Sequence, residues 1–153
     1  MDAKLISPFI DGVLNVLPQL GLSQLRRGNL VLKDRLTAAK EVSILVGLNL
    51  DLQGNVAYAM DEATAKKAAS AMMMGMPVAE FDAMAQSAIA ELANMAAAHA
   101  ASLLEGIGKR VNISPPTLVT GKGVTVRASR VKTLAVEIIT PAGTIEVNVG
   151  LET

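Results

Sequence analysis

A polar stripe is predicted on the long alanine-rich segment in the middle of the chain. Ser87, Glu91 and Asn94 are spaced by four and three residues, so on a helix they would lie within about 60° of one another. They present a hydroxyl, a carboxylate and a carboxamide, which suits polar contact with a second molecule. The neighbouring positions are small and would let another protein's backbone come close: Ala88, Ala90, Ala93, Ala97 and Ala98. From spacing alone, a solvated helix face is the plainer interpretation.

The other residues capable of catalysis are isolated in the sequence. His99 is the one histidine, and no second metal ligand or nucleophile lies near it, so a structural or merely exposed side chain is the favoured interpretation. Ser87 and His99 cannot form a dyad on one helix face, because twelve residues separate them by about 18 Å. The absence of cysteine excludes disulfides, thiolate zinc sites and a cysteine nucleophile. The segment from Thr120 to Gly123 lacks P-loop spacing and is interpreted as a hairpin turn.

The composition predicts a single domain spanning residues 1–153. Hydrophobic residues make up 51% of the chain and charged residues 18%, which is enough to build a core. Fourteen basic and fourteen acidic residues leave no net charge, which argues against binding to nucleic acid or to an anionic membrane. The longest uncharged stretch, residues 12–25, is too short and too polar to cross a bilayer. No secretory signal is readable at the start, so a cytoplasmic location is expected.

A methionine cluster follows the first part of the alanine-rich region and allows two interpretations. Met72, Met73, Met74 and Met76 lie almost side by side in the sequence. Thioether side chains repack easily, so the cluster is suited to gripping a partner protein. Filling the hydrophobic core is the favoured interpretation.

The first half of the chain predicts one helix and three strands. Apolar residues at helical spacing indicate an amphipathic helix from about Ala3 to Leu20. Period-two alternation from Gly28 to Met60 then indicates three strands. The Gln53-Gly54-Asn55 step is typical of a tight turn between the last two of them.

The second half predicts two helices followed by further strands. Asp61 is expected to cap a helix from Glu62 to Met74 through its side chain. A longer central helix is expected from about Val78 to Gly106. The alternating, β-branched segments that follow predict strands at Thr117 to Thr120, Val124 to Ala128, Leu134 to Thr140 and Thr144 to Leu151.

The order of these elements contains an internal echo. The segment from Val46 to Met60 is an apolar alternation broken at a turn, and Leu134 to Val149 repeats that pattern around Pro141-Ala142-Gly143. Two such halves, each covering the other with helices, would form one domain. The predicted fold class is therefore α+β, an αβββ-ααβββ domain with approximate two-fold symmetry. Its antiparallel sheet or sheets would pack against the long central helix.

The polar stripe carries a family resemblance. Ser87-x3-Glu91-x2-Asn94, followed by Pro115-Pro116, resembles the signature of the CheC, CheX and FliY phosphatases of bacterial chemotaxis, and the resemblance extends over essentially the whole chain. Which of the two prolines corresponds to the family proline stays open. The first helix carries Asp11 and Asn15 but no glutamate three residues before Asn15, so one site is expected, as in the CheX branch.

The resemblance implies an enzyme that hydrolyses the aspartyl phosphate of a CheY-like receiver domain. Asn94 would position the attacking water, as glutamine does in small GTPases, and Glu91 would pair with the receiver's lysine. Ser87, Pro115 and Pro116 would contact the partner. The resemblance implies no cofactor or metal of the protein's own, with Mg²⁺ supplied by the receiver, and it suggests a homodimer.

Two alternatives remain beside the phosphatase. A non-catalytic receiver-binding or scaffold protein would keep the docking face and accelerate nothing, and it would tolerate loss of Asn94. A structural dimer whose polar stripe is only solvated would have no affinity for a receiver.

Overall fold

Three helices of the expected order are present in the structure, a computed structural model that describes residues 2–152. Helix α1 (Ala3–Val16) begins where the Asp2 carboxylate accepts a hydrogen bond from the Lys4 backbone N–H at 2.9 Å. A 3₁₀ turn (Leu17–Leu20) follows it. Helix α2 (Glu62–Met72) and the longer helix α3 (Ala83–Glu105) occupy the middle of the chain.

Nine strands are described within residues 2–152: β1 (Arg26–Lys33), β2 (Leu36–Ala38), β3 (Val42–Leu50), β4 (Gln53–Met60), β5 (Val111–Ile113), β6 (Thr117–Thr120), β7 (Val126–Ser129), β8 (Thr133–Thr140) and β9 (Gly143–Glu152). Seven of them form one antiparallel sheet in the order β1-β8-β9-β4-β3, with both β5 and β6 paired to the outer side of β3. Strands β2 and β7 pair with each other in a second, two-stranded sheet.

The sheet confirms the approximate two-fold symmetry that the internal echo predicts. The hairpins β3-β4 and β8-β9 meet at the centre of the sheet, where β4 pairs with β9. Strand β1 pairs with β8 on one side as β6 pairs with β3 on the other. The pairing of β2 with β7 joins one short strand from each half. The fold class is α+β, as expected.

The core lies between one face of the large sheet and the helices. Helices α1 and α3 cross closely because α1 has no side chain at Gly12, where a Cβ atom would lie 2.7 Å from the Ala96 carbonyl oxygen. Alanines along the buried face of α3 keep this approach short. The two helices are therefore fixed relative to the sheet by close packing. Within the sheet itself, Tyr58 is fully buried, and burial raises the pKa of its hydroxyl.

The structure corrects the predicted turn between β3 and β4. The chain reverses at Asp51 and Leu52, directly after Leu50, whose φ of 80° lies in the left-handed region. Gly54 lies inside β4, where a Cβ atom would collide with the Gly150 carbonyl oxygen of β9. The glycine therefore serves the close approach of two strands, and the prediction of a turn at Gln53-Gly54-Asn55 was wrong.

Several predicted helix limits also change. Helix α3 begins at Ala83, five residues later than predicted, because the Asp82 carboxylate caps it by accepting a hydrogen bond from the Ala85 backbone N–H at 2.9 Å. Asp61 makes no side-chain cap on α2. Instead the Glu41 carboxylate accepts from the Glu62 backbone N–H at 3.0 Å, a contact between distant residues that local sequence cannot predict.

The strand predictions omit two elements. Strands β2 and β5 have three residues each and were not predicted, since so short a segment shows little alternation. The predicted strand from Val124 to Ala128 lies slightly later, at β7.

The interpretation of the methionine cluster as core filler was wrong for two of its four members. Met72 and Met73 pack partly against the core. Met74 is 98% exposed and Met76 is 63% exposed. The chain turns away from the core after α2, and Met74 itself has φ of 58° in the left-handed region.

Candidate functional site

Helix α3 faces the core with one side and solvent with the other. Its buried positions are all alanine, isoleucine or leucine: Ala85, Ile89, Leu92, Ala93, Ala96, Ala97, Ala100 and Leu104. This packing fixes the rotation of the helix about its axis. Ser87 and Glu91 are therefore exposed, and Asn94 is half-buried at the edge of the same face. The polar stripe predicted from spacing is present.

The connection between β5 and β6 forms the wall opposite α3. Both strands pair with β3, and between them Ser114 is tied to Gly47 of β3 at two points. The Ser114 backbone N–H donates to the Gly47 carbonyl at 2.9 Å, and the Gly47 N–H donates to the Ser114 hydroxyl at 2.7 Å. Pro115 and Pro116 have no N–H to continue the ladder. Ser114 therefore fixes the Ser-Pro-Pro segment to the edge of β3, and the two prolines that follow interrupt the ladder.

The two walls enclose an open cleft of about 480 Å³ that collects every residue of the predicted site. Its lining comprises Ser87, Ala90, Glu91, Asn94, Ile113, Ser114, Pro115 and Pro116. Residues more than twenty positions apart in sequence are thus brought together as expected. Both prolines line the cleft, so the geometry does not single one out. The cleft is shallow and lies at the surface, which suits an inserted protein loop better than an enclosed small molecule.

The polar groups of the cleft are available to a partner. Among residues 2–152, the side chains of Glu91 and Asn94 make no hydrogen bond or ion pair within the chain. Within the described residues, no lysine or arginine lines the cleft. A carboxylate and a carboxamide about 4.5 Å apart along the helix axis therefore face outward together. The arrangement can bind a cationic side chain at Glu91 and hold a water molecule at Asn94.

The polar residues of α1 are arranged differently. The Asn15 side-chain amide lies 3.3 Å from Nε2 of His99 on α3, so these two side chains hold each other at the crossing of the helices. Asp11 is exposed and lines a separate cleft with Leu103 and Ile107. His99 is half-buried in this contact, in agreement with its structural interpretation.

The described residues include neither a metal-binding cluster of side chains nor a membrane-spanning helix. Residues 2–152 contain no group of three or more histidine, aspartate or glutamate side chains placed to hold a metal ion. Over the same range, no helix combines the length and apolarity that spanning a membrane requires.

Sequence reasoning left Ser114 without a role. The residue lies in a segment that resembles the family, but the sequence gives no sign that its hydroxyl bonds to Gly47, sixty-seven positions earlier. The serine directly before two prolines is the only local signal. Its significance depends on β5 and β6 sharing one neighbour, and β5 itself was not predicted.

Two solved structures share this architecture at about a quarter sequence identity. A CheC-like superfamily protein from Shewanella sp. PV-4 superposes with a TM-score of 0.87 at 25% identity, covering all of both chains. The CheX-CheY-BeF3-Mg²⁺ complex from Borrelia burgdorferi contains a chain that matches with a TM-score of 0.78 at 26% identity, covering 97% of each. The fold and cleft thus define a protein of the CheC-like class.

The family within that class follows from two sequence matches. The family model described as chemotaxis phosphatase CheX matches residues 42–139, which include the whole cleft. The CheY-P phosphatase CheX of Thermotoga maritima is 31% identical over 128 residues, covering 84% of this chain and 83% of that protein. The chain belongs to the CheX family, and the resemblance noted from the sequence is confirmed.

Proposed function

We propose that this protein is a phosphatase that removes the phosphoryl group from the aspartate of a phosphorylated CheY-like receiver. The observation that carries the proposal is the cleft, where Glu91 and Asn94 face an open space beside the Ser-Pro-Pro segment. The curated relative from Thermotoga maritima is named a CheY-P phosphatase. The Borrelia burgdorferi structure holds a CheX chain together with CheY.

The reaction is a hydrolysis at phosphorus. A water oxygen attacks the phosphorus atom in line with the bond to the aspartate oxygen. That bond breaks, the aspartate carboxylate leaves with the bonding electron pair, and inorganic phosphate is released after the water has lost a proton. Phosphoryl transfer requires mainly positioning and charge stabilisation. A surface cleft without a strong base can therefore serve it.

Asn94 is the proposed water-positioning residue. Its carboxamide has one acceptor and two donors, so it can accept a hydrogen bond from the water and donate another to a phosphoryl oxygen. Asn94 is half-buried at the edge of the cleft, and packing of α3 limits its movement. Holding the water at the correct distance and angle lowers the entropic part of the barrier.

Glu91 is the proposed docking residue. Its carboxylate is exposed one helical turn before Asn94 and has no cation of its own among residues 2–152. On binding it would pair with the receiver's active-site lysine, and this charge-assisted bond would set the register of the two proteins. Ser87, Pro115 and Pro116 would contact the receiver around that pair.

The metal belongs to the receiver in this proposal. Mg²⁺ is present in the Borrelia burgdorferi complex with CheY and BeF3. It would neutralise charge on the phosphoryl oxygens while remaining bound to the receiver, and this chain would need no cofactor of its own.

The homodimer and the cytoplasmic location stay predictions. Strand β1 forms one edge of the large sheet, and three consecutive apolar side chains on it are more than half exposed: Leu30, Val31 and Leu32. Pairing of this edge with a second copy would bury them.

The test compares phosphate loss from a phosphorylated, Mg²⁺-loaded CheY-type receiver alone, with the protein, and with its Asn94→Ala variant. We expect the protein to accelerate the decay. The acceleration by the Asn94→Ala variant should be about 100-fold smaller than that by the parent protein. Binding to the same receiver loaded with BeF3 and Mg²⁺ is measured in parallel, and the variant should keep most of its affinity through Glu91. Binding without acceleration by the parent protein would favour a scaffold and reject the phosphatase.

A further inference from the structure

An exposed methionine patch lies next to the proposed site. It comprises Met73, Met76 and Met84, which line a single cleft of about 380 Å³ between the end of α2 and the start of α3. Met76 is 63% exposed and Met84 is 67% exposed, while Met73 packs partly on the core beneath them. Clustered exposed apolar side chains of this kind mark interaction surfaces.

The patch and the proposed site share one face of α3. Met84 precedes Glu91 by seven residues, which places them about 10 Å apart along the helix axis and about 20° apart around it. Ser87 lies between them and is exposed as well. The surface from Met84 to Asn94 is therefore continuous.

An interface of ordinary size around the proposed site would extend to the methionine patch. A protein bound with useful affinity covers about 800 Å² of its partner, which extends roughly 15 Å from the centre of contact. An interface of this size centred on Glu91 and Asn94 would reach Met84 along α3, and Met84 lines the same cleft as Met76. Methionine is enriched in the cores of interfaces, and its thioether adapts to the surface it meets.

The turn after α2 holds its methionines toward solvent by specific bonds. The Gly75 backbone N–H donates to the Ser70 carbonyl at 2.8 Å, and the Ser70 hydroxyl donates to the Met76 carbonyl at 2.7 Å. The neighbouring Met74 adopts a left-handed φ of 58° with its side chain 98% exposed. A left-handed residue directly after a helix is a common C-terminal cap, so the cap of α2 turns Met74 away from the core.

Acidic side chains border the methionine patch. In the part of the chain that the structure describes, the lining of the methionine cleft includes Glu80 and Asp82 and no lysine or arginine. Together with Glu91 these residues make the continuous surface acidic. An apolar surface bordered by basic groups would complement it.

We infer that the methionine patch is the outer part of the docking surface for the receiver and sets affinity for it without taking part in the hydrolysis. This inference rests on the proposed function for the identity of the partner. The receiver would present, beside its phosphorylated aspartate and lysine, an apolar surface that covers Met76 and Met84.

The test uses a Met76→Gln/Met84→Gln double variant, which keeps side-chain length and removes apolar character at exposed positions. The matched control is Ile107→Gln, because Ile107 is 54% exposed near the other end of α3, about 35 Å from Met84. Binding to a CheY-type receiver loaded with BeF3 and Mg²⁺ is measured for both, followed by steady-state hydrolysis. A Met76→Leu/Met84→Leu variant restores apolar surface.

We expect the glutamine variant to raise Kd and KM about threefold to tenfold with kcat unchanged. The leucine variant and Ile107→Gln should match the parent protein. An unchanged Kd would overturn the inference, and so would a change in sedimentation that identified the patch as a contact between copies of this chain. A parent protein that binds but does not accelerate decay would reject the proposed function alone, since Kd still measures the patch.

Discussion

Helices α1 and α3 cross over the same sheet and both carry an asparagine near an acidic residue, yet only on α3 do both members of the pair line the same cleft. On α3, Asn94 and Glu91 face the Ser-Pro-Pro segment with their polar atoms unpaired within residues 2–152. On α1, the Asn15 amide is held by His99. An asparagine on a helix therefore contributes to a binding cleft only where a second segment of the chain lies opposite it.

The second wall differs between the two halves of the sheet. The strand pairing at each outer edge of the sheet changes register once. Strand β1 changes its register with β8 after Arg27, and pairing with β3 changes register after Ile113, between β5 and β6. The residues in the break are Gly28 and Asn29 on the first side, and Ser114, Pro115 and Pro116 on the second. A rigid proline pair projects where a glycine would not. The approximate symmetry of the fold is therefore broken where the proposed chemistry requires it.

Reversing the charge of Glu91 on α3 should lower kcat/KM far more than reversing the charge of Asp11 on α1, and this is the largest difference that we expect between the two helices. In Glu91→Lys, the new ammonium would meet the receiver's lysine, and we expect kcat/KM to fall by at least about 100-fold because like charges face each other in the interface. Asp11→Lys, the matched change on α1, should leave kcat/KM unchanged. Initial rates of phosphate release from the phosphorylated receiver measure both. Equal losses would place Asp11 in the interface and contradict the comparison.

Loosening the wall at each register break should have a smaller effect. Ser114→Ala removes the hydroxyl that accepts from the Gly47 N–H at 2.7 Å. The loss of one such bond, about 1 kcal/mol, should lower kcat/KM about fivefold as the proline segment becomes mobile. Asn29→Ala, at the other break, should not change it. A similar fall in both variants, with melting temperatures unchanged, would show that the two breaks do not differ in function.

Much of the fold was predictable because it depends on local patterns. The spacing of apolar residues gave α1 and the strands of both hairpins, and repetition of one alternation gave the two halves. The predictions were wrong where contacts between residues distant in sequence determine the local structure. Gly54 is required by the approach of Gly150, Glu62 is capped by Glu41, and neither contact has a sequence signal.

The proposed site divides in the same way. Ser87, Glu91 and Asn94 share a helix face by spacing alone, and the family signature added the prolines. Ser114 was missed because its role requires two strands, one of them only three residues long, to pair with the same neighbour. The exposure of Met76 was missed because composition favours burial of methionine, whereas a turn closed by Ser70 holds it outward.

The central claim is that the carboxamide on α3 positions water and the one on α1 does not. The most direct test is the single-turnover decay of a phosphorylated, Mg²⁺-loaded CheY-type receiver in the presence of excess parent protein, Asn94→Ala or Asn15→Ala. The same truncation is thereby made on both helices under conditions where affinity does not limit the rate. We predict that Asn94→Ala is about 100-fold slower than the parent protein and that Asn15→Ala is equal to it. Full activity of Asn94→Ala, or equal losses in both variants, would contradict the account.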